Sequence, residues 1–469
     1  MKIAKRQPFT GKPVIHTPSL FGASTAKSFM YRIPVTGERP ITVEMVSENE
    51  HIRLENGIIY GNVPEDTVFT VTLTAKNAKG STQKSFKMCI DEDGVLKTPL
   101  LGFTTWNAFG AVVTQQDVER SAKQLIESGI ADYGYGYVNM DSGWQHTYGG
   151  EYDAIMPNPK FPDMKGMCDA IHALGLRCGV YSTPMLTAWG CPPEYESIPG
   201  CTVGERDPRF PDTYNGGIGM IHKEKNNVLQ WEAWGFDYLK YDWKPVEAIN
   251  GALMKKALRA AKREIAFCVT VEAQIEDAEF LKNNVNSWRA NEDTHPNWEN
   301  VLERMDTLDT WADHVRAGHF YDLDMLAMNG FDCGTKREPY SEDEELFAYT
   351  LPAFFASPIQ ISTPLDRMTD FLLDMVCNEE MIAINQDALA DYPRPVYKDE
   401  NVWLYKRRLE NGDVAYAAFN RSEAPQTIRI PVDQNAAVRD VWQKEAMTTH
   451  GEILCELPPH STKVYRVHS

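Results

Sequence analysis

The sequence predicts an α/β fold, a (β/α)8 barrel that is flanked along the chain by two all-β domains. Short apolar runs alternate with helical stretches between about residues 98 and 385, and eight of these runs have the length of buried strands. Before and after that region, apolar residues recur at every second position, which is typical of half-buried antiparallel strands. A doubly wound sheet is the alternative, but it rarely needs eight such units, so we favour the barrel.

Three domains are predicted from these changes of pattern. We expect residues 1–95 to form an immunoglobulin-like β module, residues 96–387 the barrel, and residues 388–469 an antiparallel β-sandwich. In the first domain, TVFTVTLTAKN (67–77) and TQKSFKMCI (82–90) alternate apolar and polar residues. In the last domain the same alternation occurs in the runs NVWLYKRRL, VAYAAFN, QTIRIPV and TKVYRVHS.

The barrel strands can be placed individually. They are LLGFTTW (100–106), YVNMD (137–141), LRCGVY (176–181), FDYLKYD (236–242), AFCVTVE (266–272), VNSWRA (285–290), FYDLDML (320–326) and IQISTPL (359–365). Between them lie segments with helical periodicity, among them QDVERSAKQLIESG (116–129) and NVLQWEAWG (227–235).

Composition narrows the classes of partner and location. Acidic residues outnumber basic ones by 66 to 47, and the net charge of −19 repels phosphate backbones, so we expect no nucleic acid partner. No run of about 18 apolar residues exists, so we expect no membrane span. The N-terminus MKIAKRQPFTGK lacks the apolar stretch of a signal peptide. We therefore expect either a cytoplasmic protein or an exported one whose leader is absent from this sequence.

Cysteine usage indicates neither a disulfide framework nor a metal centre. The nine cysteines form no CxxC pattern, and no HExxH pattern is present, so we expect no metal and no cofactor. Cys191 and Cys201 bracket the loop CPPEYESIPGC, where one local disulfide or two free thiols are both compatible with the sequence.

Ionisable and aromatic residues collect where the predicted barrel strands end. They are Trp106, Asp141, Tyr181, Lys240 with Asp242, Glu272, Arg289 followed by Asp293, and Asp322 with Asp324. Such residues share one rim of a parallel barrel, where clustered carboxylates repel each other and lose hydration, so stability alone does not explain them. Carboxylates with a lysine, an arginine and aromatic walls suit a polyhydroxylated substrate and an oxocarbenium-like transition state.

The barrel region resembles glycoside hydrolase family 27, the α-galactosidase and α-N-acetylgalactosaminidase family. The resemblance covers about residues 98 to 392 and is carried, in order, by GFTTWNAFG, YGYVNMDSGW, WGFDYLKYDW, NSWRANED, GHFYDLDML, SPIQISTPL and EEMIAINQDAL. The N-terminal stretch LENGIIYGNVPEDTVFTVTLTAKNAKGS resembles the bacterial immunoglobulin-like modules that are often appended to extracellular enzymes. That second resemblance favours a periplasmic or secreted protein over a cytoplasmic one.

The resemblance implies a retaining mechanism with two carboxylates. Asp242, in LKYDW, matches the nucleophile, and Asp293, in WRANED, matches the general acid/base rather than its neighbour Glu292. Asp293 must protonate the leaving oxygen, so we expect its pKa to lie well above that of Asp242. Lys240, two residues before Asp242 and on the same side of the strand, is expected to keep it ionised and to contact the sugar.

The resemblance also implies the sugar-binding residues. They are Trp106, Asp141, Ser142, Tyr181, Lys240, Glu272, Arg289 and Asp324, with Met325 as a further wall. Arg289 and Glu272 match positions near the 2- and 3-hydroxyls, whereas for Asp324 a structural role in its loop is an equal alternative. Asp141 matches the first of two aspartates that hold the 4- and 6-hydroxyls of galactose, and Ser142 replaces the second. A serine cannot bind two hydroxyls as a carboxylate does.

The function predicted is that of a retaining exo-glycosidase, an α-galactosidase acting on a terminal sugar of an oligo- or polysaccharide. Because of Ser142, the alternatives within the family are a β-L-arabinopyranosidase and another α-glycosidase. A non-catalytic carbohydrate-binding protein is the alternative from another class, but it would need neither Asp242 nor Asp293. The expected partner is a carbohydrate, and the oligomeric state is left open.

Overall fold

The structure is a computed structural model that describes residues 2–6, 9–184, 189–191, 214–215, 222–242, 248–270 and 272–468. Eight short parallel strands form its central sheet, and we number them β1 to β8 in chain order. They are Leu101–Thr104, Tyr137–Asn139, Arg177–Ser182, Tyr238–Asp242, Ala266–Thr270, Ser287–Trp288, Phe320–Tyr321 and Ile359–Ile361.

The sheet closes into the predicted (β/α)8 barrel. Each strand from β1 to β6 pairs in parallel with the next, and β8 pairs with β1. Beyond β7, Leu326 forms a parallel bridge to Ile361 in β8, which completes the ring. Every residue of β4 is buried, as expected for a strand covered on both faces. Each of the eight predicted segments overlaps one barrel strand, and β3 extends one residue beyond its segment to Ser182.

The observed strands β6 to β8 are shorter than the segments predicted for them. The segment predicted over residues 320–326 forms a strand only over Phe320–Tyr321. Asp324 has a φ of 67°, in the left-handed region that a strand cannot contain. Beyond these strands the backbone leaves the sheet and forms loops at the rim of the barrel. Apolar patterning does not show where the backbone leaves the sheet, so it overestimates the length of these strands.

Helices surround the barrel. They are Trp106–Phe109, Gln115–Glu127, Met164–Ala173, Glu224–Trp234, Ala248–Ala260, Ala278–Asn284, Trp298–Asp306, Glu342–Phe354, Asp370–Val376 and Glu379–Asn385. Two begin with a reciprocal capping box, Thr114 with Asp117 and Ser341 with Glu344. Within the described ranges, no helix is both long and apolar enough to cross a lipid bilayer.

The N-terminal region is all-β, as predicted. Its strands are Val14–Ile15, Leu20–Ser24, Phe29–Arg32, Val35–Thr36, Thr42–Ser47, Ile52–Glu55, Ile58–Gly61, Thr67–Asn77 and Gly80–Asp91. The two long strands coincide with the two predicted ones and pair as a hairpin over their whole length. Ile59, Val71 and Phe86 lie in the core of this region. Its immunoglobulin-like character and the boundary after residue 95 stay predictions.

The C-terminal region is one six-stranded antiparallel sheet. Its strands are Arg394–Lys398, Val402–Arg408, Val414–Asn420, Gln426–Asp440, Glu445–Leu457 and Thr462–Val467. Four of them overlap the predicted runs. The strand Arg394–Lys398 was not predicted because it is an exposed edge strand with a proline and no apolar alternation.

Short hairpins complete the fold. They pair Gln145–Gly149 with Ala154–Pro157, Trp189–Cys191 with Tyr214–Asn215, and Phe331–Asp332 with Thr335–Lys336. Cys191 therefore lies in a hairpin strand by its backbone, whereas its thiol and Cys201 fall outside the described side chains. A disulfide between Cys191 and Cys201 and two free thiols both stay predictions from the sequence.

Candidate active site

The carboxyl end of β4 carries the predicted nucleophile. Lys240 and Asp242 lie on the inner side of this strand, and Tyr241 between them packs in the outer core. Both charged side chains are buried, at 8 % and 6 % exposed. Lys240 Nζ lies 2.7 Å from Asp141 Oδ2, so the ammonium joins the ends of β2 and β4. Burial alone would lower the pKa of Lys240, but Asp141, Asp242 and Asp324 outweigh it and raise that pKa.

Asp242 is held from the neighbouring strand by a residue that the sequence prediction did not include. Thr270, its register partner in β5, donates its hydroxyl to Asp242 Oδ1 over 2.6 Å. Burial raises the pKa of Asp242 above its usual range, although Lys240, Arg289 and the Thr270 hydroxyl act in the opposite direction. The pKa of the nearby Tyr181 is also raised, by burial first and by the charge of Asp242 second. Tyr181 therefore stays a neutral phenol beside the carboxylate.

Arg289 connects the predicted acid/base to the loop after β7. Its Nη2 lies 2.8 Å from Asp293 Oδ1, and its Nη1 lies 3.1 Å from Asp324 Oδ2. The arginine is fully buried, whereas the Asp293 side chain is 46 % exposed. Asp324 is fixed in turn by the backbone N–H of Thr294 at 2.8 Å, and its own N–H donates to Asp322. Asp293 is therefore the carboxylate of this pair that faces an incoming molecule.

The two carboxyls predicted to be catalytic, those of Asp242 and Asp293, have the reverse of the predicted pKa order in this ligand-free structure. Burial acts to raise the pKa of Asp293 too, but Arg289 and Lys240 outweigh it and hold that pKa below its usual range. The pKa of Asp242 is raised. The expectation that the acid/base would have the higher pKa is wrong for this state, because Asp293 is paired with Arg289 and Asp242 is the more deeply buried group.

Asp141 and Ser142 occupy the loop directly after β2. The Asp141 N–H donates to Thr105 Oγ1 over 2.9 Å, and the Ser142 N–H donates to Asp141 Oδ1 over 2.7 Å. Both residues are buried, at 3 % and 1 % exposed. One oxygen of Asp141 therefore binds Lys240 and the other binds the backbone. This carboxylate is fixed, and sequence reasoning missed Thr105 as one of the groups that fix the loop.

The predicted walls of the site have different outcomes. Trp106 and Met325 pack in one small buried cluster, so two elements far apart in sequence meet here. Glu272 follows β5, is half-buried and has a φ of 51°. Trp144 is completely buried and donates its indole N–H to the Tyr181 carbonyl over 2.9 Å, so it belongs to the core and not to the cleft wall.

The described site brings all the predicted polar residues from β2 to β7 to one rim. Thr270 could have been found from the sequence, because it lies two residues before Glu272 on the same predicted strand. Thr105 carries no such signal. Among the described residues, no group of three or more His, Cys, Asp or Glu side chains has an arrangement that could hold a metal ion. The chemistry available is that of paired carboxylates and their cations.

Comparison with known proteins points to one family. A family model described as alpha galactosidase A matches residues 209–387, and one described as the alpha galactosidase C-terminal beta sandwich domain matches residues 399–467. An α-galactosidase of Oryza sativa subsp. japonica is 28 % identical over 389 residues, covering 80 % of this chain and 85 % of its own. α-Galactosidase A of Cellvibrio japonicus is 27 % identical, covering 79 % and 92 %.

Solved structures show the same relationship. The crystal structure of an α-galactosidase candidate from Bacteroides fragilis superposes with a TM-score of 0.87 at 26 % identity and covers 99 % of both chains. A β-L-arabinopyranosidase of Geobacillus stearothermophilus shares the fold with a TM-score of 0.68 at 23 % identity, covering 80 % of this chain and 97 % of that one. The chain resembles the α-galactosidases of glycoside hydrolase family 27 in sequence and fold, and it is a glycoside hydrolase.

Proposed function

We propose that the protein is a retaining exo-acting α-galactosidase that releases terminal α-D-galactose from oligo- or polysaccharides. The observation that carries this proposal is a pair of carboxylates on one barrel rim, Asp242 buried beside Lys240 and Asp293 partly exposed on Arg289. The matched relatives named as α-galactosidases support galactose as the sugar. The substrate-binding roles of Trp106 and Glu272 rest on the resemblance and belong to this proposal.

The reaction proceeds by two displacements. An oxygen of Asp242 attacks the anomeric carbon, the glycosidic C–O bond breaks, and Asp293 gives its proton to the leaving oxygen. Asp293 then removes a proton from water, the water oxygen bonds to the anomeric carbon, and the ester bond to Asp242 breaks. Because Thr270 occupies Oδ1 of Asp242, Oδ2 is the oxygen that we assign to the attack. Lys240 and Arg289 hold the carboxylates in place.

The proton must move to Asp293 before the first step. In the ligand-free structure the proton resides preferentially on Asp242, because the pKa of Asp242 is raised and that of Asp293 is lowered. The reactive form, with Asp242 ionised and Asp293 protonated, is therefore the minor one. If a sugar hydroxyl accepts the Arg289 hydrogen bond that Asp293 accepts in the ligand-free structure, Asp293 loses this stabilisation of its ionised form and its pKa rises. Once Asp242 is esterified, its negative charge is gone, which lowers the pKa of Asp293 and suits it to act as a base.

A β-L-arabinopyranosidase is the second candidate, and Ser142 is the observation that favours it. Ser142 is 1 % exposed beside Asp141, where the family's second aspartate would hold the sugar's 6-hydroxyl. L-Arabinopyranose lacks that exocyclic carbon, so it loses nothing when the carboxylate is absent. The structural relative from Geobacillus stearothermophilus carries this activity in its name.

The domain assignment and the location are also proposals. We assign residues 1–95 to an immunoglobulin-like module, 96–387 to the catalytic barrel and 388–469 to a β-sandwich, with export to the periplasm or the medium. The all-β N-terminal region supports both assignments, because modules of that kind are commonly appended to extracellular enzymes. Immunodetection in periplasmic, secreted and cytoplasmic fractions tests the location.

Hydrolysis of two nitrophenyl glycosides tests the function. Wild type and Asp242→Asn are compared on the α-D-galactopyranoside and the β-L-arabinopyranoside. Cleavage of the galactoside that is lost in the variant supports the main proposal. Preference for the arabinoside supports the second candidate. Cleavage of neither, combined with saturable binding of galactose, would indicate a carbohydrate-binding protein and would overturn both.

A further inference from the structure

A cavity lies between the N-terminal strands and the floor of the barrel, at the opposite end of the strands from Asp242. Its walls include Phe21 and Arg32 from the N-terminal region, and Tyr137 and Arg177 at the beginnings of β2 and β3. The cavity has a volume of about 80 Å³ and is partly open to solvent. The floor of such a barrel usually contributes to stability alone, so a polar cavity here needs its own explanation.

The cavity is positively charged, although the chain as a whole carries −19. Its lining includes two arginines and a lysine but no aspartate or glutamate, although the lysine, Lys97, is paired with Asp91 at 2.8 Å. Arg32 and Arg39 share a single carboxylate, Asp132, at 2.8 and 2.7 Å, so one positive charge of this group is left over. An anion in the cavity would therefore be attracted by the site and not by the molecule's overall field.

Arg177 is the second cation of the cavity wall. It is 9 % exposed, its Nε donates to the Met30 carbonyl over 2.9 Å, and its guanidinium lies 4.8 Å from the ring centre of Tyr137. No carboxylate of the described chain lies within 4.0 Å of it, because Glu264 and Asp237 act on it only from a longer distance. Arg177 Nη1 also donates to the Tyr137 hydroxyl, and the pKa of the arginine is raised despite its burial because Tyr137, Glu264 and Asp237 favour its charged form.

Two further polar groups of the cavity wall have no hydrogen-bond partner among the described residues. The Tyr133 hydroxyl is one, on a side chain that is only 2 % exposed, and Arg32 Nε is the other. His16 lies against the Tyr133 ring, with a centroid distance of 5.1 Å, and burial lowers the pKa of this histidine to about 4, so it is neutral at pH 7. Phe21 and Leu100 supply apolar surface in the same wall.

We propose that this cavity is a binding site for a small organic carboxylate with an apolar body. The donors are arginine and tyrosine groups, which match a carboxylate in charge and geometry. The aromatic and aliphatic walls match the apolar body. A neutral sugar fits less well because the lining offers no acidic acceptor for its hydroxyls. Since its wall combines the N-terminal region with the barrel floor, the bound molecule would stabilise the contact between them.

Calorimetric titration of the full chain tests the proposal. The probes are benzoate, 4-hydroxybenzoate and cyclohexanecarboxylate, with benzamide as the neutral counterpart of benzoate. Gly136→Val narrows the cavity without backbone strain, because a Cβ at this position meets nothing closer than the Gly134 carbonyl oxygen at 3.7 Å. Gly149→Val is the matched control, since its Cβ also has room, with Met156 Cγ nearest at 3.6 Å, and Gly149 does not line the cavity.

We expect at least one carboxylate to bind saturably and at least tenfold more tightly than benzamide. Gly136→Val and Arg177→Gln should each weaken that binding at least tenfold, and Gly149→Val should leave it unchanged. The ligand should also raise the melting temperature without raising KM for a nitrophenyl glycoside. Absence of binding by all three carboxylates would overturn the proposal and indicate a cavity filled by ordered water. Binding that survives Gly136→Val, or that competes with the substrate, would overturn it as well.

Discussion

Replacing Thr270 by valine probes the protonation of the catalytic pair. The threonine hydroxyl binds the ionised form of Asp242 over 2.6 Å in a buried setting. Such a bond to a charged group contributes about 1.5–3 kcal/mol, and valine keeps the branched shape but removes the donor. The pKa of Asp242, already raised, should rise further, because the hydroxyl acts to lower it. At pH values below the pKa of Asp242, the fraction of the protein in which Asp242 is ionised should therefore fall by about 10- to 100-fold.

The order of the two pKa values determines which part of the pH profile changes. Because the pKa of Asp242 is raised and that of Asp293 lowered, the form with Asp242 ionised and Asp293 protonated is a minor one. Thr270→Val should therefore lower kcat/KM by about 10- to 100-fold at pH values below the pKa of Asp242, and the loss should shrink above that pKa, where both groups are ionised. The fall of kcat/KM on the alkaline side of the pH profile should also begin at a higher pH in the variant.

The assay is kcat/KM for the preferred nitrophenyl glycoside between pH 4 and 9. Thr270→Ser keeps the hydroxyl and serves as the matched control, with a profile close to that of wild type. A loss confined to the acid limb, with an unchanged maximum, would mean that Asp293 has the higher pKa. That result would refute the order inferred from the Arg289 pair.

Three further predictions follow from buried carboxylates and their partners. Ser142→Asp adds a negative charge beside Asp141 and restores the family's aspartate pair, so the ratio of kcat/KM for α-galactoside to that for β-L-arabinoside should rise about tenfold or more, by roughly 1.4 kcal/mol. Asp237→Asn leaves Arg263 without its partner and should cost about 3–5 kcal/mol in chemical denaturation at pH 7; the pKa of Asp237 is lowered, so the wild-type advantage should vanish as the pH falls below about 4. Burial raises the pKa of Glu345 to about 8, which favours the unfolded chain at pH 7, so Glu345→Gln should raise the melting temperature there, and the difference should shrink as the pH falls towards 4.5.

Much of the fold could be predicted because its strands have strong and distinct patterns. The hairpin of the N-terminal region alternates apolar and polar residues over its whole length, and each barrel strand is an apolar run with a polar end. The edge strand Arg394–Lys398 was missed because it is exposed on both faces and has no alternation to detect. Strand ends were overestimated where the backbone turns, as at Asp324 with its positive φ.

The site was predicted as a set of residues but not as a network. Motif matches identify Asp242 and Asp293, yet they carry no information on which carboxylate an arginine contacts. Arg289 binds Asp293 and Asp324 together, and that contact reverses the expected pKa order. Thr105 acts on Asp141 across 36 residues of sequence, and no local pattern records such a pairing.

The most direct test of the central assignment is to trap the covalent intermediate and locate it. The wild-type protein is incubated with 5-fluoro-α-D-galactopyranosyl fluoride, digested, and analysed by peptide mass spectrometry, with Asp242→Asn treated in parallel. The anomeric fluoride leaves, and we expect one 5-fluorogalactosyl adduct, on the peptide that contains Asp242, and none in the variant. An adduct on Asp293 or on another carboxylate, or complete inactivation without an adduct, would contradict the account.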